Sequence, residues 1–449
     1  MLRSGPKRGK RFAHYHGLRQ AASHAPPHDF SFLAFFSALF RTMGDSFGFR
    51  AGGVRLGHGF YGPAIYLHAV MQRTGWALTV VSAALTVHYL FGALVVTQLP
   101  RLHRRFGVGR TAVTGAIVTA LGVCGWSLVT APWQLFVCAL LSGGGWVTMG
   151  AVALNAAIAP WYVAQRPMAL AKAYNGASIG GVVFSPLWVL LIDQLGFTAA
   201  SAAIGLVMVL VVLFLSHRVL SKSPGELGQY PDGAATEGPS AGAAAGSARN
   251  VQGAALWGDR RFLTLALGMA LGLFAQIGLL AHLYSLLVPA MGTQLAGITM
   301  GFATACGMGG RLLLARVLPA GGKRRVAAAL MYGVQLSGVL LLCLAGGQQT
   351  VLILLAVALF GAGIGNATSL PPLIVQSEFA KDQVQRVVAL IVAMAQATYA
   401  FAPAVFGAVL VWSGGGAARI GAGSSVFLLA IVLVQVAAIA SFLAGRTRH

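Results

Sequence analysis

The sequence contains few charged residues, and acids are the scarcest of them. Charged residues make up 9% of the 449 positions, with only 9 Asp or Glu against 31 Lys or Arg. A soluble globular protein carries about 25% charged residues, whereas here 57% of residues are hydrophobic and the mean hydropathy is +0.77. No soluble core needs this much apolar surface, so we predict that most of the chain is immersed in a lipid bilayer.

Cysteine is also scarce, and the chain lacks the motifs of several enzyme classes. Its four cysteines lie in apolar segments without CxxC spacing, so neither a disulfide framework nor a metal site is predicted. No Walker motif, HExxH helix or GxSxG elbow occurs. We therefore expect no cofactor, no metal and no enzymatic activity.

The cations far outnumber the acids, and a net charge of +22 is of the size found in nucleic-acid-binding proteins. The cations do not form one patch, however, because they fall in alternate short loops between apolar spans. The basic loops are residues 101–110, 166–172, 316–325 and 381–386. This is the positive-inside pattern. It favours a lipid bilayer over nucleic acid as the partner, and it predicts cytoplasmic N- and C-termini in a cell inner (plasma) membrane.

Apolar and polar segments divide the chain into four parts. Residues 1–28 form a polar, basic tail that lacks the apolar core of a signal peptide and is expected to be disordered. Six apolar segments lie within residues 29–216 and six more within 260–449. Residues 217–259 between them are rich in Gly, Ala, Ser and Pro and are expected to be a flexible cytoplasmic linker. The predicted fold is an all-α integral membrane protein with 12 transmembrane helices in two six-helix halves.

The first transmembrane segment is the least regular. Residues 30–40 are apolar but span only about half a membrane. Arg41, Asp45, Arg50 and Arg55 follow before the apolar pattern returns at Phe60. Charges of this kind are costly in lipid. Either helix 1 is irregular here, or the N-terminal segment is mistranslated.

Two distant stretches repeat the same design. Residues 160–191 and 386–410 each run from a basic loop into an apolar helix that contains a proline. The tripeptide Phe-Ser-Pro at 184–186 in the first corresponds to Phe-Ala-Pro at 401–403 in the second. Neighbouring membrane helices can satisfy the backbone groups that a proline frees. Many transporters are built from duplicated bundles of this kind.

Four motifs lie at the ends of the predicted spans. They are GFYGP at 59–63 followed by Gly75-Trp76, LHRRFGVGR at 102–110, the segment 161–176, and Gly310-Arg311. Together they resemble the major facilitator superfamily and, within it, the branch of monocarboxylate transporters and oxalate:formate antiporters. The resemblance covers nearly the whole chain from Phe60 onward. It implies transport by alternating access, with Arg311 binding a substrate carboxylate.

The chain departs from that branch at positions that concern the substrate. Ala64 stands where monocarboxylate transporters carry a lysine, and Gly307 stands where they carry an aspartate. Arg104 occupies a position where the superfamily's loop signature has an aspartate. No charged residue lies between Arg386 and Arg419, so the second cation that oxalate transport uses is missing. Binding of a dicarboxylate by two cations is therefore not expected.

Composition and resemblance together predict a secondary active or facilitative transporter of a small organic solute, a monocarboxylate-like anion. Two alternatives stay open. One is a drug or metabolite exporter of the same fold, and the other is a membrane sensor that does not transport. The chain is expected to act as a monomer.

Candidate solute-binding residues are the polar side chains inside the predicted spans. Arg311 is the only charge well inside a helix of the C-terminal half, where it either clamps an organic anion or reaches towards lipid headgroups. His68 and His282 lie towards the outer ends of helices 1 and 7. The uncharged candidates, each of which can instead serve as a contact between helices, are Tyr61, Asn155, Asn175, Gln276, Asn366, Gln396 and Tyr399.

The distribution of acids restricts how transport can be coupled to protons. Apart from Asp45 in the irregular first segment, the acids lie in tails, in loops, in the linker or at a helix end. None is therefore available at the membrane midplane to carry a proton. A histidine would have to do so, because its charge changes near neutral pH, and His88 near the middle of helix 2 is the expected carrier. Anion exchange and facilitated diffusion would need no titrating side chain.

Overall fold

The structure is a computed structural model. It describes residues 62–226 with gaps at 163–165, 223 and 225, and residues 256–445 with gaps at 318–322, 348, 380–382 and 415–423. For most of residues 166–179 only the backbone is described. The predicted N-terminal tail, the irregular start of helix 1 with Tyr61, and most of the predicted linker therefore lie outside the described residues.

The described residues form twelve helical spans and no strand. Three of the helices bend sharply at a glycine, and each of these supplies two spans. In chain order the spans are α1 (Gly62–Thr74), α2 and α3 (the two arms of Leu78–Leu128), α4 (Pro132–Trp146, Val147–Met149 and Ala151–Ile158), α5 and α6 (the two arms of Arg166–Leu215), α7 and α8 (the two arms of Arg260–Val317), α9 (Arg324–Ala345), α10 (Thr350–Ile364 and Leu370–Glu378), α11 (Val384–Ala400 and Ala402–Trp412) and α12 (Ser425–Ala444).

The glycine bends explain how such long helices fit a bilayer. A straight helix of 58 residues, the length of Arg260–Val317, would be about 87 Å long, against roughly 30 Å for the hydrocarbon core. Gly107, Gly196 and Gly292 interrupt the three long helices with φ values of 78°, 78° and 77°. Glycine adopts this backbone region without steric cost. If the bent helices are counted as single helices, seven apolar helices of the described residues are long enough to cross a membrane.

Side-chain contacts show that the arms of a bent helix lie side by side. Ser142 of α4 shares a hydrogen bond of 2.9 Å with His88 Nδ1 of α2. The same hydroxyl accepts a bond of 3.3 Å from the indole N–H of Trp126 on α3. Since α2 and α3 both contact one residue of α4, the chain reverses direction at Gly107.

The two halves repeat one plan at a constant spacing in the sequence. His68 of α1 and Ser285 of α7 are 217 residues apart and hydrogen-bonded to each other. The glycine bends after α1 and α7, and the prolines inside α5 and α11, keep this spacing. A contact between equivalent residues of two repeats lies near the axis that relates them. The all-α fold with twelve spans in two six-helix halves is confirmed.

The connections define two faces of the bundle. The linker face carries the linker between α6 and α7 and the bend at Gly107. The far face carries the bends at Gly75, Gly196, Gly292 and Gly414. Odd-numbered helices therefore run from the linker face to the far face, and even-numbered helices run back.

A buried ion pair holds three helices of the C-terminal half together at the linker face. The guanidinium of Arg325, at the start of α9, bonds both carboxylate oxygens of Glu378 at the end of α10, at 2.6 and 2.7 Å. It also donates to the Thr264 hydroxyl and the Arg261 carbonyl of α7. Arg325 is only 4% exposed. A buried arginine needs such a full set of acceptors, because an unpaired charge is costly to bury.

Candidate transport site

The two halves meet where helices of one pack closely against helices of the other. Gly297 of α8 faces the Val189 side chain of α5, and Gly301 faces the Val182 carbonyl, where an added Cβ would lie 2.7 Å away in each case. On the other side, Gly407 of α11 faces Ser82 of α2. The absence of side chains lets membrane helices approach this closely. All three glycines lie in the far-face part of their helices.

Polar contacts tie the same part of the two halves together. His68 Nδ1 and Ser285 Oγ are 3.2 Å apart, and the His68 ring meets the Tyr284 ring edge-on at 5.2 Å. Asp193, beside the bend between α5 and α6, accepts a bond of 2.7 Å from Gln294. These contacts join α1 to α7, and α5 to the start of α8.

Contacts between α2 and α11 form three successive layers, which we call the α2–α11 seam. In the layer nearest the far face, Ser82 packs against Gly407. In the next, the hydroxyl of Thr86 accepts a bond of 3.2 Å from the backbone N–H of Ala404. A side-chain acceptor is useful there because α11 is interrupted at Phe401 and Pro403 supplies no N–H.

The third layer of the seam is an aromatic pair nearest the middle of the membrane. Tyr89 of α2 and Tyr399 of α11 meet edge-on, with ring centroids 5.9 Å apart. Both are buried, with 3% and 8% of their surface exposed. A solute entering from the linker face between α2 and α11 would therefore meet these two rings before the hydroxyl of Thr86.

Arg311 lies where α8 crosses α10. Its Nε donates a bond of 3.0 Å to the carbonyl of Gly365, in the interruption between the two segments of α10. The helices approach closely here, since a Cβ on Gly307 would lie 3.1 Å from the Gly361 carbonyl. The side chain is half-buried. The bond from Nε fixes the plane of the guanidinium before any ligand binds.

Three of the predicted polar candidates each contact a residue of their own half. Gln276 of α7 accepts a bond of 3.2 Å from Gln335 of α9. The Asn366 amide points to the Met331 sulfur of α9, at 3.4 Å. His88 bonds Ser142 within the N-terminal half and stacks on Trp146, with centroids 5.8 Å apart. The structure therefore directs these side chains towards neighbouring helices of their own half.

The remaining candidates lie at separate places in the bundle. His282 is fully buried on α7 and donates from Nε2 to the carbonyl of Pro403, at 3.1 Å. Gln396 is half-buried on α11, one turn from Tyr399 towards the linker face, and Asn155 is half-buried on α4. For Asn175 the structure gives the helix position but no side chain, and Tyr61 lies outside the described residues.

Four residues of the contact between the halves were not singled out from the sequence: Ser82, Thr86, Tyr89 and Ser285. Each is a small hydroxyl or an aromatic residue in an apolar segment, and such residues occur throughout membrane helices. The spacing between the repeats was the available signal for Ser285, because it pairs this residue with His68. Among the described residues, no group of three His, Cys, Asp or Glu could hold a metal ion.

Comparison with known proteins gives one family. A family model described as Major Facilitator Superfamily matches residues 30–403. No match was found among curated proteins.

Solved structures of transporters have a similar fold. The nucleoside transporter NupG is 14% identical with a TM-score of 0.67, over 88% of this chain and 98% of that one. A bacterial homologue of the human lysosomal transporter Spinster, inward-facing and unoccupied, is 14% identical with a TM-score of 0.63, over 88% and 96%. A D-xylose–proton symporter is 14% identical with a TM-score of 0.63, over 87% and 95%. At this identity the likeness concerns the fold alone.

Proposed function

The chain belongs to the Major Facilitator Superfamily, and from this premise we propose that it carries a monocarboxylate-like organic anion across an inner (plasma) membrane by alternating access. A membrane transporter of small solutes is what the family and the fold indicate, and an enzyme is not. The class of solute, the membrane and the mechanism are the proposal.

Arg311 is the observation that carries the choice of an anion. A guanidinium is planar and offers paired N–H donors that match a carboxylate. Its Nε is held by the Gly365 carbonyl, so the group is oriented in advance and loses less freedom when a ligand binds. Because few other charges lie within the spans, one cation suits a solute with one carboxylate.

The contacts between the halves support a solute path that opens to the linker face. The α2–α11 seam, the His68–Ser285 bond and the Asp193–Gln294 bond all lie in the far-face part of the bundle. A Spinster homologue in an inward-facing conformation has a similar fold. The positive-inside rule makes the linker face cytoplasmic, so we propose that this conformation is closed to the outside. His88 remains the predicted proton carrier if transport is proton-coupled.

A neutral ring-shaped solute is the second candidate. The Tyr89–Tyr399 pair at the inner end of the seam supports it, because aromatic side chains pack well against sugar or nucleobase rings. NupG and the xylose symporter are transporters of such solutes. The drug or metabolite exporter and the non-transporting sensor remain further alternatives.

Counterflow in proteoliposomes separates these candidates. Vesicles loaded with unlabelled short monocarboxylates, a pentose or a nucleoside would be tested for uptake of the same labelled compound, with protein-free vesicles as the control. Counterflow needs no ion gradient and detects importers and exporters alike. We expect saturable counterflow of a monocarboxylate. Counterflow of the pentose or nucleoside alone would contradict the proposal that the solute is an anion. A ligand that raises the unfolding temperature without any counterflow would identify a sensor.

A further inference from the structure

Gly407 of α11 faces a notch between the two halves that two buried polar groups border. A Cβ built on Gly407 would lie 2.6 Å from the Ser82 hydroxyl oxygen and 3.3 Å from His282 Cε1. The hydroxyl of α2 and the imidazole of α7 thus face each other across a position where α11 has no side chain. Ser82 Oγ and His282 Nδ1 are both buried, and neither has a hydrogen-bond partner among the described residues.

The hydrogen bond on the other side of the imidazole defines its protonation. Nε2 donates to the Pro403 carbonyl, so this nitrogen carries a proton. In the neutral ring Nδ1 is then an acceptor with a lone pair. Across the notch, the Ser82 hydroxyl is a donor that one bridging water would connect to Nδ1. The closed seam therefore suits a neutral imidazole.

The surroundings of His282 would not compensate a positive charge. His282 contacts Pro403 on α11 and Phe427 on α12, whose ring lies edge-on at 5.8 Å, and it borders the notch at Gly407 together with Ser82 of α2. None of these is charged or titratable. Among the described side chains, titratable and charged groups of α1, α2, α5 and α11 contact other residues: Tyr66 contacts Trp188, His68 Ser285, Arg73 the Val129 carbonyl, His88 Ser142, Tyr89 Tyr399, and Asp193 contacts Thr293 and Gln294.

We propose that His282 is a proton-binding site that the α2–α11 seam covers and uncovers. When the seam parts, Ser82 moves away with the N-terminal half, and Nδ1 is exposed to the far-face solution. There it takes a proton from hydronium, leaving a water molecule. The imidazolium returns that proton to water before the seam closes, because closure would bury the charge without a partner. Acid on the far face therefore holds the seam open.

A distance measurement across the far face tests the proposal. Spin labels at Thr130→Cys and Gln349→Cys, exposed positions on the two halves, would be introduced into a chain whose four native cysteines are replaced. Distances would be recorded in nanodiscs without solute, from about pH 8 to about pH 5.5. Near pH 5.5, the protonated form of a water-exposed histidine outnumbers the neutral form about ten to one. The ratio of long to short distances should therefore rise about tenfold by linkage.

His282→Gln separates proton binding from the structural hydrogen bond. Its side-chain amide keeps an N–H donor for the Pro403 carbonyl but does not titrate. We expect this variant to show one distance distribution at every pH. His103→Gln, which changes a histidine of the linker-face bend, is the matched control and should keep the tenfold change.

Each other outcome also decides the question. Absence of the pH change in the parent protein, or its persistence in His282→Gln, would overturn the proposal. Loss of the change only in His68→Gln or His88→Gln would assign the proton to those residues instead. If His282→Gln does not fold, Ser82→Ala decides: removing the donor destabilises the closed seam, so opening should begin at higher pH, and an unchanged midpoint would contradict us. No solute is used, so the result stands apart from the proposed substrate.

Discussion

Arg311 shows how one side chain can have a structural role and a ligand role together. Its Nε supports the interruption of α10 through the Gly365 carbonyl. The rest of the guanidinium lies in a half-buried position on α8. Arginine in a membrane helix is costly unless it is used, and both uses are compatible with this geometry. Replacing it therefore has to be tested for stability as well as for transport.

We expect Arg311→Lys to lower the initial rate of solute uptake at least about tenfold, because a point charge replaces a bidentate fork. Uptake and thermal unfolding would be measured on the same preparation. Arg316→Lys, an exposed arginine near the end of the same helix, is the control and should transport normally. Normal uptake by Arg311→Lys would exclude a carboxylate clamp. A parallel loss of uptake and unfolding temperature would instead assign Arg311 to the support of α10.

Other polar residues illustrate why burial in a membrane does not by itself indicate a binding site. Gln276 and Gln335 bond each other between α7 and α9. Arg325 and Glu378 form a buried pair that also engages α7. Such groups find partners in neighbouring helices because lipid offers none. For a single residue, the direction of its side chain decides whether it contacts a neighbouring helix or is available to bind a solute.

At the scale of helices, glycines set the distance between spans. Where α8 crosses α10, an added Cβ on Gly310 would overlap the Ala362 carbonyl, and one on Gly361 would overlap the Ala303 carbonyl. Gly309, the neighbour of Gly310, has no atom within 4 Å of such a Cβ. The two adjacent glycines thus have opposite environments, although the sequence alone does not distinguish them.

This difference gives a matched pair of substitutions. Gly310→Ala should separate α8 from α10 and destabilise the protein by about 1–3 kcal/mol, the usual cost of overpacking. Gly309→Ala should be neutral or slightly stabilising, since alanine favours helix. Unfolding temperatures in detergent and uptake rates would be compared for the two variants. Equal effects of both changes would show that α8 and α10 do not meet through this surface.

At the scale of the whole molecule, the two faces differ in charge. The linker face carries the basic bend between α2 and α3 and the ion pair of Arg325, whereas the sequence of the far-face loops contains only two cations, Arg73 and Arg419. The positive-inside rule predicts that the linker face is cytoplasmic. This orientation also determines from which side a solute reaches the closed seam.

Single cysteines in a chain without the native ones test the orientation. Ser240→Cys in the linker should react with a membrane-impermeant maleimide only in inside-out vesicles. Thr130→Cys, between α3 and α4, should react only in intact cells. Three spans lie between position 130 and the linker, so the two cysteines are expected on opposite sides of the membrane. Adding the reagent after permeabilisation is the control for reactivity. Labelling of both positions from the same side would contradict the twelve-span arrangement.

The sequence by itself determined the twelve spans, the duplication and the alternation of basic loops, while the bounds of the linker stay a prediction. Each of these depends on the free energy of transferring a segment into lipid, which is a property of that segment's own composition. A membrane helix also satisfies its backbone hydrogen bonds internally, so it can be predicted without knowing its neighbours. The solute class, by contrast, was predicted from a resemblance and stays a prediction.

Only the tertiary structure decided which polar residues meet. Apolar residues cover both the lipid-facing and the protein-facing sides of these helices, so hydropathy does not reveal which side of a helix faces a neighbour. The pairing of Tyr89 with Tyr399, of Gln276 with Gln335, and of His282 with the Pro403 carbonyl depends on packing between helices far apart in the sequence. Packing and hydrogen bonding drive that association in lipid, and both are set by shapes that only the assembled bundle contains.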